Sequence, residues 1–562
     1  MQTSAPYRDA TVPLDQRIED LLGRMTLEEK AGLMFHPPIA IEGDGSAVGG
    51  AEESILGQHL NHFNIYAAPP PRLHAEWHNR LQEIAASTRL GIPVTVSSDP
   101  RHAVEQSSGV SGSSAGLSEW PEPIGLAAVG DAEAVEEFGD IARREYRAVG
   151  IHVALHPMAD LGTEPRWARI AHTFGEDAAL AARLVAAYIR GFQGETLGPQ
   201  SVACMTKHFP GGGPQRDGED PHFPYGKDQI YPGGMFEHHM RVFEAAFAAG
   251  TAQVMPYYGR PVGTPFEEVG FGYNRDVITG LLRERCGFDG VVCTDWALVS
   301  DMTLPDGSVW EAKAWGVEEL SPEERVAKIL DAGCDQLGGE RIPEVVVALV
   351  ENGRIAPERV DASARRLLRD KFRLGLFDEP RVDPGEAERV CGNTEFRAAG
   401  ERMQRRSVTI LKNDGVLPLA EGDDVQVIRR SAPYEERAGN FIERAMGNDR
   451  IVPLSVGGVK TGQGVFIALL DEQPLVAFAA RAAGAHAGQH EFSVQLFSVQ
   501  AEFQVPFAQH LGGVAQGRPR AGIPDHDRAG AVVSRRNDAL EIKIRNRMVL
   551  DHHRQTLFGR ID

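Results

Sequence analysis

An alternation that runs through the chain up to about residue 380 does most to constrain the fold. Short apolar, β-branched runs recur at Ile92–Val96, Ile151–Ala154, Val202–Met205, Gln253–Met255 and Gly290–Thr294. Between them lie Ala/Glu/Arg-rich stretches with helical period: Asp131–Val149, Ala178–Phe192, Phe236–Ala249, Pro322–Ala332 and Ile342–Asn352. Strands that alternate with helices build a parallel sheet with crossover helices, so the expected class is α/β. Enough units over roughly 300 residues suit a (β/α)8 TIM-barrel-like domain, whose typical size is about 250 residues plus insertions. A doubly wound sheet is the alternative, but no GxGxxG follows a strand.

Pro357–Phe377 reads as a closing amphipathic helix with Leu367, Leu368, Phe372 and Leu376 on one side. Pro357 falls in its first turn, where a missing N–H costs nothing. Asp378-Glu379-Pro380 ends it. Asn393–Arg406 has helical character, Ser407–Leu411 is β-rich, and Asn413-Asp414-Gly415 is a turn. The expected organisation is a first domain over 1–377, a linker over 378–406 and a second domain over 407–562. After Leu419 the patterning weakens. Val425–Ile428 and Val465–Leu470 have strand character, and from Arg481 onward Gly, Gln, His and Arg dominate without clear blocks.

Charge narrows the function. The chain of 562 residues has 58 Lys and Arg against 79 Asp and Glu, a net of −21. Such a balance repels phosphate backbones and disfavours nucleic acid as a partner. From Val425 on, 17 basic residues face 14 acidic ones, so the excess of acid belongs to the earlier part and the kind of segment changes near residue 425. The five cysteines are widely spaced and form no CxxC pair, which supports neither a zinc knuckle nor a disulfide framework. No apolar core of a signal peptide appears near the start and no run of 18 apolar residues follows, so a cytoplasmic protein without a membrane span is expected.

The chemistry-bearing residues follow the apolar runs. Ser97-Ser98-Asp99 follows Ile92–Val96, Lys207-His208 follows Val202–Met205, and Asp295-Trp296 follows Val291–Thr294. In a parallel barrel the C-terminal strand ends carry the active site. A carboxylate there can attack a sugar's anomeric carbon, and an indole beside it can stack on the sugar face. A loop-capping or ion-paired Asp fits that position as well. Lys207-His208-Phe209-Pro210-Gly211-Gly212-Gly213 offers donors to hydroxyl groups before a tight turn; no GK[ST] closes it, so the phosphate-loop pattern fails. Asp220 and His222, two apart, fit a proton-transfer dyad, a metal pair or a solvated acidic loop. Asp99 fits a hydroxyl ligand or a helix N-cap. Arg166 beside Trp167 fits a ligand or a stacked surface pair. Together these make a polar, aromatic, carboxylate-bearing rim that suits a carbohydrate.

With those segments in hand, the chain resembles glycoside hydrolase family 3, the β-glucosidase-like enzymes. The resemblance is carried in order by MTLEEKAGLM (25–34), GIPVTVSSDPRH (91–102), EPRWARIAHTFGED (164–177), KHFPGGG (207–213), GFDGVVCTDW (287–296) and SVTILKNDGVLPL (407–419). It covers roughly residues 13–420. It implies a (β/α)8 domain followed by an α/β sandwich-like domain, here reduced. It implies retaining, exo-acting hydrolysis, most often releasing non-reducing terminal β-D-glucose through a covalent glycosyl-aspartate. On the matched positions Asp295 resembles the nucleophile. Asp99, Arg166, Lys207 and His208 resemble ligands of the terminal sugar's hydroxyls, Tyr258 the tyrosine near the nucleophile, and Trp296 the stacking tryptophan. No cofactor and no metal are implied.

The acid/base departs from the family. Many members supply it as a Glu of the second domain in a segment like GEPPYAE. The corresponding stretch here is Arg429-Arg430-Ser431-Ala432-Pro433-Tyr434-Glu435-Glu436, with Ser431 where that Glu would stand. Only about ten residues separate Leu419 from this stretch, and the family's usual ending is absent. A deletion combined with a reading-frame change would produce this picture, and so would a divergent domain; the first is the expectation. The family's N-acetylglucosaminidases use an Asp-x-His dyad after KHFPG, which Asp220-Pro221-His222 resembles. The alternatives to a β-glucosidase are therefore a non-catalytic sugar-binding remnant and a β-N-acetylhexosaminidase using Asp220 and His222.

Overall fold

The computed structural model describes residues 5–41, 50–103, 116–303, 309–411 and 413, together with the backbone of eight short strands between 425 and 557. The chain divides into two units, residues 1–408 with 437–447 and residues 409–436 with 448–562.

The first unit is α/β with a parallel sheet. Seven strands are hydrogen-bonded in the order Val291–Val292, Gln253–Pro256, Ala203–Phe209, Ile151–Ala154, Thr95–Ser98, His62–Ile65 and Pro38–Ile39, every pair parallel. Phe35–His36, just before Pro38, pairs in parallel with Leu337–Gly338. Gln336, one residue before that strand, bridges Cys293.

The strands sit where the apolar runs place them, with ends that shift by a few residues. Ala203–Phe209 extends through the polar Lys207 and His208, because all seven residues are buried. Phe35–His36 and His62–Ile65 escape a search for apolar runs because their inward side chains are polar. His36 bonds Ser97 Oγ (2.7 Å) and Gln336 Oε1 (3.1 Å), and Ser97 Oγ donates to Asn64 Oδ1 (3.1 Å). A buried polar side chain with partners costs little, so an interior of this kind leaves no hydrophobic signature.

The crossover helices follow their period closely. Ala132–Ala148 starts at Asp131, whose carboxylate accepts from the amides of Glu133 and Ala134. Ala178–Gln193 starts at Asp177 in the same way. Pro322–Ala332 is opened by Ser321 in a capping box with Glu324, each such cap contributing about 1 kcal/mol. Pro357–Arg373 buries Leu367, Leu368 and Phe372. It also sends Lys371 inward, where Nζ donates to Asn61 O, Pro93 O and Thr95 Oγ1 and ties the helix to two strands.

Residues 378–406, the expected linker, are mostly helical. They form the helices Pro384–Val390 and Thr394–Ser407, the second running one residue past the expected boundary. Phe396, Ala399, Gly400 and Met403 make a buried stripe at helical spacing. A Cβ on Gly400 would meet Glu119 O at 2.1 Å, which shows how closely this helix approaches the first unit. The connector therefore belongs to that unit.

In the second unit Val425–Ile428 pairs in parallel with Val465–Ala468, and Glu491–Leu496, Ala539–Arg545 and Ala531–Arg536 form an antiparallel three-stranded sheet. The segment Arg429–Glu436, with Ser431, lies outside the described residues.

Candidate active site

Parallel pairing brings the C-terminal ends of the strands to one side, and six of the expected residues meet there. Asp99 follows Thr95–Ser98, Lys207 and His208 belong to Ala203–Phe209, Tyr258 follows Gln253–Pro256, and Asp295 and Trp296 follow Val291–Val292.

Asp295 is 7% exposed. Its Oδ1 accepts from the Trp296 amide at 2.8 Å, and that amide also reaches the Tyr258 hydroxyl at 3.0 Å. The Tyr258 hydroxyl in turn donates to Trp296 O (2.8 Å). Burial first, then the charge of Asp295, raises the Tyr258 phenol well above its ordinary value, so it stays protonated and keeps donating.

His208 Nε2 lies 3.8 Å from Asp295 Oδ2. Its Nδ1 is 2.6 Å from Asp160 Oδ2, and its Nε2 is 3.1 Å from Arg169 Nη1. Burial, followed by the Arg169 guanidinium, pushes the imidazole well below its usual value. A neutral ring between a carboxylate and a guanidinium has one consistent tautomer: Nδ1–H donates to Asp160 and Nε2 accepts from Arg169. Asp160 also accepts from the amides of His208 and Gly212. Its full burial raises its carboxyl to about 6, against the pull of those donors.

Lys207 Nζ donates to Asp99 Oδ1 at 2.7 Å, and both side chains are nearly buried. One ammonium on one oxygen leaves the carboxylate's second oxygen able to accept from a hydroxyl. Tyr66 stands at the level of Asp99, by the register that pairs Asn64 with Ser97, and is 45% exposed. The glycines after Lys207-His208 are required by close approach: a Cβ on Gly213 would meet Leu161 O at 1.9 Å, and one on Gly212 the Tyr257 ring at 2.7 Å.

Arg166 is corrected. Its side chain is 54% exposed and forms ion pairs with Glu164 and Asp217. Arg169, three residues on, is the buried guanidinium that touches His208. Burial works against its charge, but Tyr257, Asp220, Asp160 and Asp295 more than offset that and raise its pKa. Arg169 and Asp160 were missed by the sequence reading. Arg169 lies inside EPRWARIAHTFGED, but two arginines in one loop cannot be told apart without the turn at Ile170–His172.

Asp220 and His222 form the expected pair. Nδ1 of His222 is 2.5 Å from Asp220 Oδ1, and Trp167 Nε1 donates to Asp220 Oδ2 (3.3 Å). Burial alone would raise the Asp220 carboxyl; His222 and then Arg169 hold it well below the usual carboxylate range. The His222 ring meets Tyr258 edge-on at 4.6 Å and lies parallel to Trp310 at 6.1 Å. The pair thus adjoins the Asp295 cluster through Tyr258. Among the described residues no group of three or more His, Cys, Asp or Glu is arranged to hold a metal, and no helix is long and apolar enough to cross a membrane.

Buried carboxylates, neutral and charged donors and an indole at one set of strand ends can bind a polyhydroxylated ligand and attack an electrophilic carbon. Comparison with known proteins points the same way. The glycosyl hydrolase family 3 N-terminal domain matches residues 70–369. A probable beta-glucosidase C of Aspergillus flavus is 48% identical over 476 residues, covering 78% of this chain and 75% of the relative. A periplasmic beta-glucosidase/beta-xylosidase of Dickeya chrysanthemi is 39% identical, covering 78% and 74%. Among solved structures, a β-glucosidase from Erythrobacter marinus superposes with a TM-score of 0.63 at 26% identity, covering 76% of this chain. This chain spans 54% of that one.

Proposed function

The chain belongs to glycosyl hydrolase family 3 and is a glycoside hydrolase, and from that premise we propose that it releases terminal β-D-glucose from β-glucosides, with retention, through a covalent intermediate on Asp295. The observation that carries this reading is the placement of Asp295. It is a buried carboxylate at a strand end, held by the Trp296 amide and flanked by Tyr258 and the neutral His208. Asp99, Lys207, His208 and Arg169 would bind the sugar's hydroxyls, with Trp296 against its face. The (β/α)8 reading of the first unit is supported by strand pairing that leads from Pro38–Ile39 round to Val291–Val292. From there it passes through the Cys293–Gln336 bridge to Leu337–Gly338 and back to Phe35–His36.

In this reading Asp295 attacks the anomeric carbon while an acid protonates the leaving oxygen, the two groups standing about 5–5.5 Å apart as retention requires. Water then attacks the same carbon, giving its proton to the now deprotonated acid, while the ester bond breaks and its electron pair returns to Asp295. The test is hydrolysis of an activated aryl β-glucoside by the full chain and by Asp295→Asn. Turnover by the wild type and its loss in a folded variant is the expected result. Wild-type turnover in the variant would overturn the role of Asp295, and a folded but inert wild type would favour a sugar-binding remnant.

A second reading makes His222 the acid/base. It is favoured by the Asp220 carboxylate on Nδ1, which leaves proton transfer to Nε2. His222→Ala is then expected to cost far more on substrates with poor leaving groups than on activated aryl glycosides. Equal losses on both would count against it. Faster turnover of an N-acetylglucosaminide than of a glucoside would favour the hexosaminidase alternative.

A further inference from the structure

Lys313 is a buried cation outside the set of residues proposed to bind the sugar. It follows the short antiparallel hairpin of Met302–Thr303 and Val309–Trp310. Its backbone amide donates to Ala297 O at 2.8 Å, which lays it alongside the Asp295-Trp296-Ala297 segment. The residue is 1% exposed. Its Nζ donates to Glu311 O at 2.8 Å and lies 3.5 Å from the centre of the Trp310 ring. Among the described residues no carboxylate oxygen lies within 4 Å of that ammonium. Trp310 also lies parallel to His222, which meets Tyr258, whose hydroxyl bonds the Trp296 backbone.

A buried ammonium without an ion-pair partner is expensive, and a structure that needed only packing would hold an apolar side chain here. One contact that offsets the cost is the indole face, where a desolvated cation interacts strongly. The other is the field of the surrounding carboxylates. Asp295 is the first of these in strength, ahead of Asp301, Glu311 and Glu340.

We infer that Lys313 is a positioning residue for the reaction at Asp295: it clamps Trp310 against His222 and keeps a positive charge beside the Asp295 segment. The inference rests on the reading of Asp295 as the reacting carboxylate. Charge and clamp depend on the same proton. Burial lowers Lys313 to about 8, against the pull of those four carboxylates. The other titratable groups beside Trp310 are His222, whose ring lies parallel to it, and His222's partner Asp220. Deprotonation removes both the cation–indole contact and the charge, so activity should fall as pH rises through that range.

The experiment compares wild type, Lys313→Arg and Lys313→Met, all as full chains, by kcat and KM on an aryl β-glucoside over pH about 5 to 10, with Asp295→Asn in the same assay. The wild type is expected to lose kcat above pH about 8. Lys313→Arg, whose charge does not titrate in this range, should keep its kcat there. Lys313→Met should lose about tenfold or more in kcat at neutral pH with little change in KM, and should lack the limb near pH 8 that belongs to Lys313. An alkaline limb unchanged in Lys313→Arg, no limb in the wild type, or wild-type kcat in Lys313→Met would each overturn the inference. If Lys313→Met does not fold, Lys313→Arg decides by its limb alone. Residual full activity in Asp295→Asn would instead overturn the reading on which the inference rests.

Discussion

Two groups of side chains meet at Asp295, and they are built differently. Asp99, Lys207 and His208 stand on or directly after parallel strands; Lys207 bonds Asp99, and Asp160 and Arg169 both bond His208. Each polar contact in that group is a hydrogen bond or ion pair between buried groups, so each member fixes its neighbour. Asp220, His222, Trp310 and Lys313 stand on connections between strands. Besides the Asp220–His222 bond and the hydrogen bonds from Trp167 to Asp220 and from Lys313 to the backbone, they are held by ring and cation–ring contacts. Hydrogen-bonded groups on a sheet hold a geometry closely, whereas stacked groups on connections can be replaced with less disturbance to the frame. The sugar-hydroxyl side of the proposed site is thus set by the fold, and the side that would carry proton transfer is set by loops.

That contrast can be broken experimentally. The largest effect is expected at the strand-borne ion pair. Lys207→Met leaves Asp99, 7% exposed, without its ammonium, and should destabilise the first unit by about 3–5 kcal/mol. Urea unfolding of the full chain measures it, and a loss below about 1 kcal/mol would show that the pair is not the constraint argued here.

Asp160 gives the next effect through pH. Its folded carboxyl is raised from 3.8 to about 6, so its contribution to stability is fully present below pH about 3.8 and is lost as pH rises through about 6. The shift of roughly two units corresponds to about 3 kcal/mol. Relative to Asp160→Asn, the wild type should therefore lose stability between pH 4 and pH 7 in unfolding curves. A gain with rising pH would place Asp160 among the carboxylates held ionised by their partners.

Two arginines three residues apart sharpen the comparison further. Arg169→Ala removes a buried donor on His208 and should lower kcat/KM by about a hundredfold. Arg166→Ala removes an exposed ion-paired side chain and should leave kcat/KM within about threefold. Equal losses would return Arg166 to the site.

These two residues also show where a sequence stops being readable. Asp99, Lys207, His208, Asp295 and Trp296 were legible because each stands where an apolar run gives way to polar residues. The resemblance to family 3 then assigned them roles. Choosing Arg169 over Arg166 needed the path of an irregular loop, which no periodicity encodes. The strands Phe35–His36 and His62–Ile65 were missed for the opposite reason, since their inward His36 and Asn64 are polar and both bond Ser97 Oγ instead of reading as apolar. The helix Thr394–Ser407 was legible as a helix but not as part of the first unit, because the stripe of Phe396, Ala399 and Met403 does not say which surface it covers. Trp310 lies on a hairpin two residues wide on each strand, and Lys313 just after it, in a stretch too short to show alternation.

The central claim is that Asp295 forms the covalent bond to the sugar. The most direct measurement is to incubate the full chain with a 2-deoxy-2-fluoro-β-glucoside bearing an activated leaving group and map the labelled peptide by mass spectrometry. The account predicts one glycosyl adduct, on the peptide containing Gly287–Trp296, at Asp295, and none in Asp295→Asn. An adduct on another carboxylate, or hydrolysis of the unfluorinated glucoside with inversion at the anomeric carbon, would contradict it.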